Sequence, residues 1–90
     1  MNDHEIARRA SKLPDRFTTR LDQKTLDGLR YMDGGGEYGE LTLELAATLA
    51  ATGATVTATE RDELQALLDA TGMPTDPIQH LSVDTSSAGH

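Results

Sequence analysis

In the stretch DGGGEYGE, Asp33 to Glu40, three acidic side chains surround a run of three glycines. Carboxylates gathered around glycines are the raw material of a calcium loop, because a hard cation takes oxygen ligands and glycine lets the chain turn sharply. The spacing does not suit that chemistry. An EF-hand loop alternates its oxygen ligands and closes on a bidentate glutamate, whereas Gly35 stands where a carboxylate is needed. The run is no phosphate-binding loop either, since the required lysine is missing and the glutamates that follow would repel phosphate. A junction between two helices is the better account, and no metal is expected.

What remains is a pattern of charge. Glu37, Glu40 and Glu44 recur at spacings of three and four, which on a helix places them along one ridge. Glu37 would also sit at the helix start, where the macrodipole favours negative charge. Such a ridge is either a solvated face or a docking surface for a cationic partner, with Tyr38 as an aromatic anchor and Asp27 and Asp33 at the rim. Tyr31 and Tyr38 are two of only three aromatic residues, and both flank the glycines. Tyr38 shares the leucine stripe of its helix and is expected to be half-buried at the edge.

No residue set points to catalysis. Cysteine is absent, and Ser11, Ser82, Ser86 and Ser87 lie far from any glycine elbow of the nucleophile kind. His4, His80 and His90 lack the spacing of metal ligands. A general acid needs a buried pocket to raise its pKa, and a domain of 90 residues rarely encloses one. Neither an enzyme nor a cofactor is expected.

The elements that must position the ridge follow from apolar spacing. Ile6, Ala10 and Leu13 predict a helix over Asp3 to Leu13, with Asp3 as N-cap and Pro14 closing it. Pro14, Asp15 and Arg16 read as a turn, and Phe17 and Leu21 allow a kinked continuation through Arg20. Asp22 caps a second helix carrying Leu26, Leu29 and Met32, which the glycines end. From Glu37 to Thr52, Tyr38, Leu41, Leu45 and Leu49 form a stripe apolar enough to be central, and Gly53 is its C-cap. Thr57 and Glu60 match a capping box for a fourth helix with Leu64, Leu67 and Leu68, stopped by Gly72 and Pro74. The stretch ATGATVTAT between the last two helices reads as a linker despite its Thr and Val content.

These signals predict an all-α fold: a small four-helix bundle with short loops over 1–73, its first helix open to a split at Pro14, followed by a flexible tail over 74–90. Within that tail Ile78 and Leu81 are the residues able to dock. The core is expected to contain Leu13, Leu26, Leu29, Leu41, Leu45, Leu49, Leu64 and Leu68. Fifteen acidic against eight basic residues give a formal charge of −7, which disfavours nucleic acid and anionic membranes as partners and would steer a basic protein inward. The lack of cysteine suits a reducing compartment, and the N-terminus MNDHEIARRASKL has no apolar stretch for a signal peptide, so a cytoplasmic location is expected.

The segment LDGLRYMDGGGEYGELTLELAATL, followed by a linker and TATERDELQALLDATGM, resembles the Maf-type immunity proteins of bacterial polymorphic toxin systems. The likeness rests on Glu37-Tyr38-Gly39, Leu41, Glu44 and Leu45, then Thr57, Glu60, Leu64, Leu67 and Gly72, and covers about Leu21 to Met73. The triple glycine departs from it, because family members usually carry polar residues there. The resemblance implies a cytoplasmic protein that binds and neutralises a cognate toxin and catalyses nothing. An acidic ridge of Glu37, Tyr38, Glu40 and Glu44, rimmed by Asp27 and Asp33, could fill the basic cleft of a toxin that attacks nucleic acid. On this reading the free protein is a monomer. The alternatives are an acidic helical interaction or regulatory module, homodimeric through the alanine face of the third helix, and a small ligand-binding or enzymatic bundle.

Overall fold

Polar caps decide where most of the helices begin. A computed structural model of the chain describes residues 1–84. Helix α1 (Asp3–Ala10) is capped by Asn2, whose Oδ1 accepts from the Glu5 amide at 2.8 Å. The cap thus falls one residue before Asp3, which was expected to fill it and stands instead in the first turn, where its charge complements the helix dipole.

Pro14 does not close this helix. The chain leaves the helical ladder at Ser11 and Lys12, and Pro14 sits in the first turn of a one-turn helix, α2 (Leu13–Arg16). A proline is tolerated there because its missing N–H has no intrahelical partner to lose. Residues 17–21 form turns rather than a kinked continuation, and they drive Phe17 inward as the largest fully buried side chain.

Asp22 caps α3 (Gln23–Gly34) as its sequence predicts, accepting from the Thr25 amide at 2.7 Å. Of the three glycines only Gly36 takes a positive φ, 72°. Its amide donates to Asp33 O at 3.1 Å, and the Glu37 amide donates to Met32 O at 2.9 Å. These paired bonds satisfy the last carbonyls of α3 and reverse the chain into α4 (Tyr38–Thr52). Left-handed glycines end the next two helices in the same way, Gly53 for α4 and Gly72 for α5 (Ala58–Thr71). Thr57 and Glu60 form the expected reciprocal capping box at the start of α5.

The chain is an all-α bundle of four main helices with α4 at its centre, in contact with α1, α3 and α5. All eight leucines expected in the core are buried, and Ile6, Ala10, Phe17, Ala46, Val56, Leu67 and Leu81 complete it. Close approach of α4 to α5 depends on Gly39, where an added Cβ would lie 3.0 Å from both Met73 Cγ and Thr71 Cβ.

Residues 74–84 overturn two expectations, one for this segment itself and one for the linker it pairs with. The segment from 74 to 84 is part of the folded unit: Asp76–His80 forms a 3-10 helix against α4 and α5, and Leu81 is buried. The linker before α5 contains a strand, β1 (Thr55–Val56), that pairs in parallel with β2 (Ser82–Val83). The Asp84 amide extends this pairing to Val56 O at 2.7 Å. Val56 is fully buried, so the pairing satisfies a backbone that would otherwise be sealed from water beside it. The rest of the expected tail, 85–90, lies outside the described residues.

Replacing Leu45 by alanine is expected to destabilise the fold by about 2–5 kcal/mol, because it empties space at the centre of the bundle. Truncation after Met73 is also expected to lower the melting temperature, since it uncovers Val56 and the outer side of α4. A thermal melt left unmoved by Leu45→Ala would show that α4 is not the core helix, and one unmoved by truncation would detach 74–84 from the fold.

Candidate functional site

Burial of Leu41, Leu45 and Leu49 fixes which side of α4 meets water. Glu37, Glu40 and Glu44 are exposed along the flank of that stripe, and Ala47 and Ala51 continue the exposed line at the same three–four spacing. None of the three glutamates joins an ion pair among the described residues. The reason is local: α4 carries no lysine or arginine to which a carboxylate one turn away could turn. Glu37 occupies the N-cap position without a side-chain capping bond, so its carboxylate is not drawn into the helix end.

The other expected site residues are placed differently. Asp33 is half-buried and accepts a 2.6 Å hydrogen bond from Ser11 Oγ, which ties the end of α3 to the end of α1. It is therefore partly covered and engaged in an internal hydrogen bond rather than fully open at a rim. Asp27 is exposed on α3 and accepts from Gln23 Nε2 at 2.8 Å. Tyr38 is half-buried against the core, as its place in the leucine stripe predicts. Its carbonyl accepts from the buried Thr42 Oγ1 at 2.8 Å. Tyr38 lines an open groove of about 500 Å³ with Asp3, Ile6 and Thr71, a surface separate from the ridge. The structure thus gathers Glu37, Glu40 and Glu44, and leaves Asp33 and Tyr38 in other company.

The aromatic residue that faces water is Tyr31, 82% exposed near the end of α3. It lines a groove of about 410 Å³ with Arg30, Gly34, Gly35 and Glu37. Sequence reasoning noted its position beside the glycines but did not place it in the site.

Several carboxylates elsewhere are paired with arginines. Six of the eight basic residues fall within residues 1–24, against four of the fifteen acids, so the N-terminal part carries the cations. Arg20 grips Glu60 with two bonds, of 2.7 and 2.8 Å, and donates to Thr55 O at 3.0 Å and Arg16 O at 3.2 Å. Its guanidinium also lies 4.3 Å from the centroid of the Phe17 ring. Arg9 bonds both oxygens of Glu63 and reaches Glu5 at 3.3 Å. These bonds fasten the N-terminal segment to α5. No sequence spacing links Arg20 to Glu60; only the buried Phe17 beside Arg20 hinted that this turn faces inward.

The Arg20 hydrogen bonds hold the Glu60 carboxyl below its ordinary value of 4.5, against the opposing effect of burial and with help from the Thr57 amide. Asp22, through its bond from the Thr25 amide, is shifted the same way. Among the described residues no group of three or more His, Asp or Glu side chains is arranged to hold a metal ion, and no helix is long and apolar enough to cross a membrane. Comparison with protein families, with curated proteins and with solved structures returns no match. The surface chemistry of the chain therefore carries the functional reading.

A carboxylate whose folded pKa is depressed stabilises fully above its unfolded pKa and loses that contribution as pH falls through the folded value. Melting temperature is therefore expected to fall on acidification below about pH 4.5. Glu60→Gln should flatten part of this decline, and Arg20→Ala at neutral pH should cost about 1.5–3 kcal/mol. An acid limb identical in the wild type and Glu60→Gln would remove this pair from the stability of the fold.

Proposed function

We propose that this chain is an immunity protein that binds a cognate bacterial toxin through the carboxylate ridge of α4 and blocks its action. The observation that carries the reading is the contrast between two sets of acids. Glu60 and Glu63 are occupied by arginines, whereas Glu37, Glu40 and Glu44 stand exposed along one helix without an ion pair among the described residues. A rigid helix with fixed, uncompensated negative charge presents a surface complementary to the basic cleft of an enzyme acting on nucleic acid. The partner is then a protein with a basic surface; nucleic acid and membranes are disfavoured by the same charge. Function in this reading is binding without catalysis, in the cytoplasm, by a protein that is monomeric until it meets the toxin. The resemblance over Leu21 to Met73 to Maf-type immunity proteins supports the same assignment.

The alanine side of α4 favours a second reading. Ala47, Ala50 and Ala51 border a shallow, mainly apolar depression of about 430 Å³ that Asp76, Pro77 and His80 complete. A homodimeric interaction module would use this surface. Sedimentation of the free protein separates the two, because a concentration-dependent dimer favours the module and a monomer favours the immunity protein.

For the primary reading, the double variant Glu37→Lys with Glu40→Lys is expected to lower affinity for a cognate toxin domain at least about ten-fold, chiefly through slower association at low salt. Its melting temperature should fall only slightly, since both side chains are exposed and the loss is confined to their interaction with the positive end of the α4 dipole. Unchanged affinity and unchanged salt dependence would take the ridge out of the interface.

A further inference from the structure

The triple glycine is only partly explained by the turn it makes. Gly36 alone has the positive φ that disfavours a side chain. Gly34 lies inside the last turn of α3, and Gly35 has φ −90° and ψ 0°, a conformation open to any residue. A Cβ at Gly34 would meet nothing within 4 Å, and one at Gly35 would meet Met32 O and the Glu37 side chain at ordinary contact distances of 3.7 and 3.8 Å. Neither glycine is needed by the backbone or by packing, and glycine within a helix weakens it relative to alanine.

What the two glycines do is leave the groove beside them bare. The floor at Gly34 and Gly35 is flanked by the exposed ring of Tyr31 and by Glu37. Arg30 also borders the groove, but its guanidinium is directed to Asp15 at 3.1 Å. The open carboxylate is that of Glu37. An aromatic face and a free carboxylate on either side of uncovered backbone suit a long cationic side chain, which stacks its charge on the ring while its donors reach the carboxylate. A planar guanidinium fits this combination better than an ammonium, since it stacks and forks at once.

We propose that the groove of Tyr31, Gly34, Gly35 and Glu37 is a pocket for an arginine side chain presented by a protein partner. This deepens the ridge reading and rests on it: the pocket adds an anchor at the N-terminal end of the ridge, while Glu40 and Glu44 supply charge beyond it. The net charge of −7 and the Glu37 carboxylate lining the pocket favour a basic occupant. Tyr31 thereby takes the anchoring role that the sequence suggested for Tyr38.

The test is amide chemical-shift mapping of the full chain titrated with a capped tetra-arginine peptide, with tetralysine and tetraglutamate peptides as controls. Tetra-arginine is expected to shift the amides of Tyr31, Gly34 and Gly35 first and to bind more tightly than tetralysine; tetraglutamate should do neither. Tyr31→Ala should weaken tetra-arginine binding about two- to five-fold, as loss of one exposed cation–π contact requires. Gly34→Ala combined with Gly35→Ala should weaken it comparably while leaving the melting temperature unchanged or raised. Shifts centred on Glu40 and Glu44 that are indifferent to Tyr31→Ala and to the alanine pair would overturn the pocket and leave the ridge standing. Absence of any localised shift would overturn the pocket too, and the fate of the ridge would then rest on the toxin-binding measurement alone.

Discussion

Burial of one face of α4 is the constraint on which the other elements depend, because a chain of 90 residues has apolar side chains for only one core. Leu41, Leu45 and Leu49 are fully buried, and α1, α3, α5 and the 3-10 helix all reach this helix. Orienting α4 inward by its leucines orients it outward by its glutamates. The geometry of the ridge is therefore a by-product of the core, and no hydrogen bond to the glutamates is needed to maintain it. A surface made this way is stiff without being neutralised, a combination suited to recognising an opposite charge at low ordering cost.

Helix positions were largely legible in the sequence because their signals are local. Asp22, the Thr57–Glu60 box, Gly53 and Gly72 each act within one helical turn, and each stands where its residue type predicts. Legibility failed where the deciding contact is distant. Pro14 alone reads equally well as a stop or a start, and burial of the neighbouring Phe17 goes with the start. Thr55–Val56 is too short to show strand periodicity, and its partner lies 27 residues away in sequence, at Ser82–Val83.

The candidate site was legible to the same degree. The spacing of Glu37, Glu40 and Glu44 places them together on any helix, so the ridge follows from the sequence. Asp33 could not be judged that way, because its hydrogen bond comes from Ser11 on the far side of α2. Tyr31 and Tyr38 have the same composition signal and opposite fates, one exposed and one packed on the core, since helix phase and not residue type decides exposure. The crowding of cations into residues 1–24 also acquires a role only in three dimensions, where Arg9 and Arg20 pair with Glu63 and Glu60 of α5 and leave the glutamates of α4 without an ion pair among the described residues.

The parallel pairing of Thr55–Val56 with Ser82–Val83 has a kinetic consequence. Glycine-terminated helices joined by short connections let α3, α4 and α5 collapse through neighbours in sequence, the kind of contact that forms early. The two-residue ladder is expected to form after α5, because closing the larger loop costs more entropy for less buried area. It is expected to act as a clasp: last to shut during folding, and first to open when the native protein fluctuates.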